Sequence, residues 1–131
     1  MTCILIAEDN VMISLMINTD LQRAGYETKG PFVRSAPALR AVDGCDLALV
    51  DIDLQNGDSG IELARALAAE HGLPSLFVTG QIEQARRAGD AALGVLVKPF
   101  RSESLIGAVE AALAYAGGGS RPADAPGCVW F

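Results

Sequence analysis

Apolar runs alternate with segments of helical periodicity along most of the chain. Four of the apolar runs are predicted to be strands covered on both faces: Cys3–Ala7, Leu47–Val50, Ser75–Val78 and Val95–Val97. A fifth segment, Tyr26–Phe32, is predicted to be a weaker strand. The predicted helices are Val11–Ala24, Ala36–Val42 (capped by Ser35), Ile61–His71, Ile82–Ala88 and a last one capped by Ser102. Connections this short favour right-handed crossovers, so the pattern predicts a three-layer, doubly wound α/β fold with a five-stranded parallel sheet.

The composition changes at Gly117, where the sequence continues GGGSRPADAPGCVWF. Glycine runs and prolines are typical of flexible segments. We therefore expect one domain over residues 1–116 and a flexible tail with an apolar tip over residues 117–131. Because no second domain follows, we expect a single-domain protein.

Charge and cysteine content exclude several classes of protein. A net charge of −6 without any basic run argues against direct nucleic-acid binding. No apolar run approaches the roughly 18 residues of a membrane span, and the start of the chain does not resemble a signal peptide. Three scattered cysteines and one histidine offer too few ligands for a zinc site. Free thiols suit a reducing compartment, so we expect a cytoplasmic protein.

Four of the five predicted strands end in residues that can carry chemistry. Glu8 and Asp9 follow the first strand, and the ends of the third, fourth and fifth strands are Asp51, Thr79 and Lys98. The carboxyl ends of parallel strands meet at one edge of the sheet, where ligands bind. The topology therefore predicts one pocket that contains carboxylates, a hydroxyl and an ammonium.

Carboxylates this close together require protons or a cation as counter-charge. Oxygen ligands suit Mg²⁺, and a hydroxyl and a lysine beside the metal suit a phosphoryl group. One carboxylate then acts as the nucleophile. Asp51 is the best candidate because it ends the most central strand, so the residues predict phosphoryl transfer onto Asp51.

These residues lie in the segments LIAEDN, LALVDIDL, LFVTG and VLVKPF, and over about residues 3–116 the chain resembles a receiver domain of two-component response regulators. The resemblance implies a flavodoxin-like fold with strand order 2-1-3-4-5. It also implies that Asp51 accepts phosphoryl from a sensor histidine kinase or a histidine phosphotransfer protein. Such a domain is a signalling module and not an enzyme, apart from its own phosphorylation and slow dephosphorylation.

The resemblance also implies roles for individual side chains. Asp9 and Asp51 would bind Mg²⁺ directly, Glu8 would act largely through water, and Asp53 would contribute its backbone carbonyl. Thr79 and Lys98 would contact phosphoryl oxygens, with a cis bond between Lys98 and Pro99. The output would be a contact with a downstream protein through the face of the fourth helix, fifth strand and fifth helix, or onward transfer of the phosphoryl group.

The sequence departs from many receivers at three places. The loop Leu54–Gly57 lacks proline, and Val95 stands where many receivers have an aromatic residue three positions before the lysine. Gly80 follows Thr79 and loosens the backbone there. Phe77, Thr79 and Gly80 form a Phe-x-Thr-Gly pattern, which resembles a subgroup linked to stress signalling.

Two other functions fit parts of the sequence. Asp51 and Asp53 resemble the D-x-D pair of haloacid-dehalogenase phosphatases, although that family places the pair near the start of the chain. A receiver that acts only as a docking module, independently of phosphorylation, is a further alternative. The intact acids, Thr79 and Lys98 favour the phosphorylated receiver.

Overall fold

The computed structural model describes all residues from Met1 to Phe131 as six strands and five α-helices. The strands are β1 (Cys3–Ala7), β2 (Glu27–Phe32), β3 (Leu47–Val50), β4 (Ser75–Thr79), β5 (Gly94–Val97) and β6 (Cys128–Trp130). The helices are α1 (Val11–Arg23), α2 (Ser35–Leu39), α3 (Gly60–His71), α4 (Ile82–Arg87) and α5 (Ser102–Ala116), with a 3-10 turn at Gln55–Gly57 before α3. The predicted helices and strands are all present, with bounds that differ by a few residues.

The strands form one sheet in the order β2-β1-β3-β4-β5-β6. The first five strands are parallel to one another, which confirms the predicted five-stranded order 2-1-3-4-5. The sixth strand was not predicted. Where we expected a flexible tail with an apolar tip, Cys128–Trp130 instead pairs antiparallel with β5, and Trp130 is 3% exposed.

Helices cover both faces of the sheet, as predicted. Successive strand residues point to opposite faces, so Leu5 and Ala7 pack into a core with α2, α3 and α4, whereas Ile4 and Ile6 pack into a second core with α1 and α5. The result is a three-layer α/β fold whose central strands are buried on both sides. None of the five helices has the length and apolar composition needed to cross a membrane.

Polar side chains fix where the helices start. Asn10 Oδ1 accepts the Ile13 N–H at 3.1 Å and caps α1. The predictions that Ser35 caps α2 and that Ser102 caps α5 are wrong, because each helix already includes its serine. The Asp58 carboxylate, from the loop before α3, instead accepts hydrogen bonds from the Ser35 N–H and hydroxyl.

All three cysteines are free thiols. Cys3 and Cys45 lie at the edge of the sheet where β1 and β3 begin, with their Sγ atoms 3.8 Å apart. Burial raises the pKa of the Cys45 thiol to about 11, with a smaller contribution from Cys3. The Cys45 thiol therefore stays protonated at neutral pH, and both cysteines pack as small side chains.

Candidate functional site

Three carboxylates meet where β1 and β3 end. Ala7 pairs with Val50 across these two strands, so Glu8 and Asp9 come to lie beside Asp51. One carboxylate oxygen from each of the three lies within 4.8 Å of the others. Glu8 and Asp51 are buried, with 2% and 7% exposure, and Asp9 is exposed. The pocket is therefore anionic and open to solvent on the side of Asp9.

Lys98 brings a positive charge to this cluster from the end of β5. Its Nζ lies 2.6 Å from Glu8 Oε1 and donates a hydrogen bond to Asp51 Oδ2 at 3.1 Å. The Lys98–Pro99 peptide bond is cis, which confirms the expectation from the sequence. Burial acts to lower the pKa of Lys98, but the hydrogen bond to Glu8 and the charges of Glu8 and Asp51 raise that pKa above its ordinary value. The lysine is therefore a permanent cation in the pocket.

Burial raises the pKa of Glu8 to about 7, and the neighbouring Asp51 adds to this shift while Lys98 opposes it. One ammonium is thus shared by two buried carboxylates, with a third carboxylate at the rim. An all-oxygen set of this kind suits a hard divalent cation such as Mg²⁺. A second positive charge would stabilise the ionised form of Glu8, so the residues present fit the metal.

Thr79 ends β4, between the strands that carry Asp51 and Lys98, and is 1% exposed. Its hydroxyl oxygen accepts the Gln81 N–H at 3.2 Å. Its carbonyl oxygen accepts the Lys98 N–H at 2.9 Å. Thr79 therefore lies at the same sheet edge as the acids, and its backbone fixes the start of the segment that follows β5.

Asp53 does not join the acidic cluster. It is exposed, and its carboxylate accepts a hydrogen bond from Gln81 Nε2, a contact that links the loop after β3 to the loop after β4. A metal contact through the backbone carbonyl of Asp53 stays a prediction. Nothing in the sequence points to Gln81, because no spacing rule relates it to Asp53, which lies 28 residues away in the chain.

The sequence analysis also missed Gly60, the first residue of α3. Its N–H donates to Ile52 O at 2.7 Å, and a Cβ on Gly60 would lie only 1.7 Å from Asp51 O. No larger residue fits there without moving the backbone of Asp51. The only available signal was a glycine directly after Ser59, which accepts the Glu62 N–H and caps the helix.

Two of the departures from the receiver pattern have visible structural consequences. In the loop Leu54–Gly57, Asn56 adopts a left-handed conformation with φ of 60° inside the 3-10 turn. Val95 is fully buried and pairs with Val129 of β6. The edge of β5 beside Val95 is therefore covered by the C-terminal strand.

The arrangement can bind a hard cation at the open side of the pocket and hold an anionic group between that cation and Lys98. Asp51 lies beside both positions, and its carboxylate is the buried group that an incoming electrophile would reach. The charges of the buried Glu8 and Asp51 interact with Lys98 more strongly than charges in bulk water would. The acidic pocket is therefore consistent with Mg²⁺ binding and with phosphoryl chemistry.

Comparison with known proteins agrees with this arrangement. Residues 4–110 match the model of the response regulator receiver domain. Among curated proteins, the transcriptional regulatory protein PdtaR of Mycobacterium tuberculosis is 33% identical over 117 residues, which cover 84% of this chain and 56% of PdtaR. The chain thus spans little more than half the length of this relative.

Solved structures show the same fold. The signal receiver domain of a modulated diguanylate cyclase from Desulfovibrio desulfuricans superposes with a TM-score of 0.78 at 32% identity, over 88% of this chain and 95% of that domain. The receiver domain of NtrX from Brucella abortus gives a TM-score of 0.78 at 31% identity, over 84% and 97% of the two chains. The narrower resemblance to the Phe-x-Thr-Gly subgroup stays a prediction.

Proposed function

The chain belongs to the response regulator receiver domain family, and we propose that Asp51 accepts a phosphoryl group from a phosphohistidine of a sensor histidine kinase or a histidine phosphotransfer protein. The observation that carries the proposal is the contact of Lys98 Nζ with Asp51 Oδ2 at 3.1 Å, beside two further carboxylates. An ammonium at that distance can follow a phosphoryl oxygen once phosphorus is bonded to Asp51.

The transfer is an in-line displacement. A carboxylate oxygen of Asp51 forms the new bond to phosphorus, the phosphorus–nitrogen bond of the donor imidazole breaks, and the bonding electron pair leaves with the imidazole nitrogen. Lys98 neutralises one equatorial oxygen, and the Thr79 hydroxyl donates to another. Such positioning and charge neutralisation account for most of the catalysis in phosphoryl transfer.

Mg²⁺ would supply positive charge to the transferring oxygens. Asp9 and Asp51 would hold the ion directly, Glu8 through water, and Asp53 through its backbone carbonyl. The raised pKa of Glu8 supports this assignment, because a buried carboxylate that lacks sufficient positive charge is what a cation stabilises. The three free thiols support the cytoplasmic location predicted from the sequence.

The donor protein would dock on α1, next to the pocket. Val11, Met12 and Leu15 are large apolar side chains with 75%, 75% and 60% exposure. Their spacing places them on one face of the helix. Val11, the first of them, follows Asp9 by two positions. Exposed apolar patches of this kind are typical of protein-binding surfaces, so this face suits the protein that carries the phosphohistidine.

The downstream target was predicted to bind the face of α4, β5 and α5. The structure differs there, because β6 pairs with the edge of β5. A downstream protein on this side would contact a surface that includes β6. Phosphorylation would act by changing the balance between two conformations of this surface.

The test is incubation with acetyl phosphate and Mg²⁺, followed by intact-protein mass spectrometry. We expect one added phosphoryl group in the wild type, none in Asp51→Asn, and one in the matched variant Asp53→Asn. Equal labelling of the wild type and Asp51→Asn would refute the assignment of Asp51.

Two further measurements separate the alternatives. Sustained turnover of p-nitrophenyl phosphate would indicate a phosphatase, but the Asp53 carboxylate, which would be its acid, is bound by Gln81. No uptake by the wild type, together with normal partner binding by Asp51→Ala, would indicate a docking module.

A further inference from the structure

The C-terminal segment returns to the sheet and pairs with β5. Hydrogen bonds close both ends of the pairing, with the Val97 N–H donating to Gly127 O at 2.8 Å and the Phe131 N–H donating to Leu93 O at 3.0 Å. The Tyr115 hydroxyl donates to Phe131 O at 3.1 Å and joins the end of the segment to α5. Residues 127–131 therefore lie along the edge strand of the parallel sheet, and we name residues 121–131 the C-terminal cover.

Gly94 forms the seat for this cover. A Cβ at Gly94 would lie 2.5 Å from Val129 O and 2.9 Å from an atom of the Trp130 ring. Glycine weakens a strand interior, and one reason to find it there is the close approach of another backbone. Because Gly94 has no side chain, the backbone of β6 can pack this closely against β5.

The outer edge of β6 is closed by residues of the same cover. Asp124 Oδ1 accepts the Trp130 N–H at 2.8 Å, and Arg121 Nη2 donates to Trp130 O at 2.6 Å. Ala125 and Cys128 exchange two backbone hydrogen bonds of 2.9 and 3.0 Å. No outward N–H or C=O of Cys128 or Trp130 is left to pair with a partner strand, so a protein that needs the edge of β5 must displace the cover.

A short path joins the cover to the phosphorylation site. Val97, which donates to Gly127, directly precedes Lys98, and the Lys98 N–H donates to Thr79 O at 2.9 Å. Lys98 and Thr79, the two residues at the end of this path, are also the residues that a phosphoryl group on Asp51 would contact. The backbone that positions the lysine is thus also the backbone on which the cover is seated.

We propose that the C-terminal cover is an intramolecular lock on the edge of β5, and that phosphorylation of Asp51 loosens it. The proposal rests on the proposed function. When Asp51 carries a phosphoryl group, Lys98 leaves Glu8 to follow the new oxygens, and the hydrogen bond from Val97 to Gly127 weakens. A coupling between two sites of one domain is reciprocal, so loosening the cover must also favour phosphoryl binding.

Trp130 reports on the cover because it is the only tryptophan in the chain. The experiment adds beryllofluoride with Mg²⁺ as a phosphoryl mimic, follows its binding by fluorine NMR, and records Trp130 emission together with amide hydrogen exchange over residues 125–131. We expect a red shift of the emission and exchange that is about five-fold faster or more in the wild type. We expect neither change in Asp51→Ala.

Two variants test the lock without touching the phosphorylation site. Gly94→Ala introduces the Cβ that meets Val129 O, and Asp124→Ala removes the acceptor of the Trp130 N–H while changing only an exposed residue. Both should show red-shifted emission before the mimic is added and should bind beryllofluoride about five-fold more tightly. In the control Gly107→Ala the added Cβ meets no atom within 4 Å, so it should behave as the wild type.

The outcomes distinguish the two proposals. Beryllofluoride that binds without changing Trp130 emission or exchange would overturn the lock and leave the proposed function intact. Failure of beryllofluoride to bind would overturn both. Unchanged affinity in Asp124→Ala, with its emission red-shifted, would also overturn the coupling.

Discussion

The ammonium of Lys98 lies 2.6 Å from a carboxylate oxygen of Glu8, a side chain that is 2% exposed. Removing one partner of a buried ion pair leaves the other charge uncompensated. We therefore expect Lys98→Ala to lower the free energy of unfolding by about 3 kcal/mol in metal-free buffer, measured by urea denaturation. It should also abolish rapid labelling by acetyl phosphate, because a phosphoryl oxygen loses its counter-charge.

Added Mg²⁺ provides the internal check for Lys98→Ala. The ion supplies positive charge to the same carboxylates, so it should stabilise the variant more than the wild type. Arg101→Ala, which removes a nearby exposed cation, should leave both stability and labelling unchanged. A variant of Lys98 with wild-type stability in metal-free buffer would show that the ion pair is not formed in solution.

Asp9 is the exposed member of the acidic cluster, and its removal should affect metal binding without affecting the fold. We expect Asp9→Asn to weaken Mg²⁺ binding at least about ten-fold, measured by titration calorimetry. The melting temperature without metal should not change. Asp43→Asn, an exposed aspartate outside this cluster, should bind Mg²⁺ as the wild type does, which excludes a general effect of net charge.

Sequence reasoning located the strand ends because each buried strand is a run of apolar residues that stops at a charged or hydroxyl side chain, as at Asp51 and Thr79. It missed β6 because Cys128–Trp130 is short and follows a glycine- and proline-rich segment. The pairing of β6 is decided by the bare edge of β5 at Gly94, a relationship between distant residues that no local pattern contains.

The sequence also did not predict which way some side chains point. The apolar periodicity that defines α1 includes Val11 and Leu15, yet both are exposed and only other positions of that helix reach the core. Periodicity identifies a helix but does not show that all of its apolar residues face inward. The contact between Gln81 and Asp53 was hidden for a similar reason, since it depends on how two loops meet above the sheet.

Asp58 provides a test of pH dependence away from the acidic cluster. Hydrogen bonds from the Ser35 N–H, and more weakly from the Ser35 hydroxyl and the Ser59 N–H, hold the pKa of Asp58 below its ordinary value. The folded state therefore favours the ionised carboxylate. The contribution to stability is complete above the unfolded-state pKa and is lost as the pH falls through the lower folded-state pKa.

We accordingly expect Asp58→Ala to lower the free energy of unfolding by about 1 kcal/mol at pH 7, the usual value of a lost helix cap. The difference from the wild type should shrink as the pH falls below the unfolded-state pKa of about 4, and it should vanish below the lower folded-state pKa, where the native carboxylate is also protonated. Thermal unfolding of both proteins, measured from pH 7 down to acid pH, would show this change in the stability difference. A difference that grows towards acid pH would contradict the hydrogen bonds described for Ser35.

Gly60 is the point at which α3 packs directly against the backbone of Asp51. A Cβ at this position would lie 1.7 Å from Asp51 O and 2.7 Å from Asp51 C, so Gly60→Ala must push α3 away from the backbone of the phosphorylation site. We expect a loss of stability of about 3 kcal/mol or more and loss of labelling by acetyl phosphate. Gly107→Ala makes the same chemical change in α5, where the new Cβ meets nothing, and should stabilise the protein by about 0.5–1 kcal/mol while labelling is unchanged. If Gly60→Ala folded and accepted phosphoryl as the wild type does, the close approach of α3 to Asp51 would be wrong.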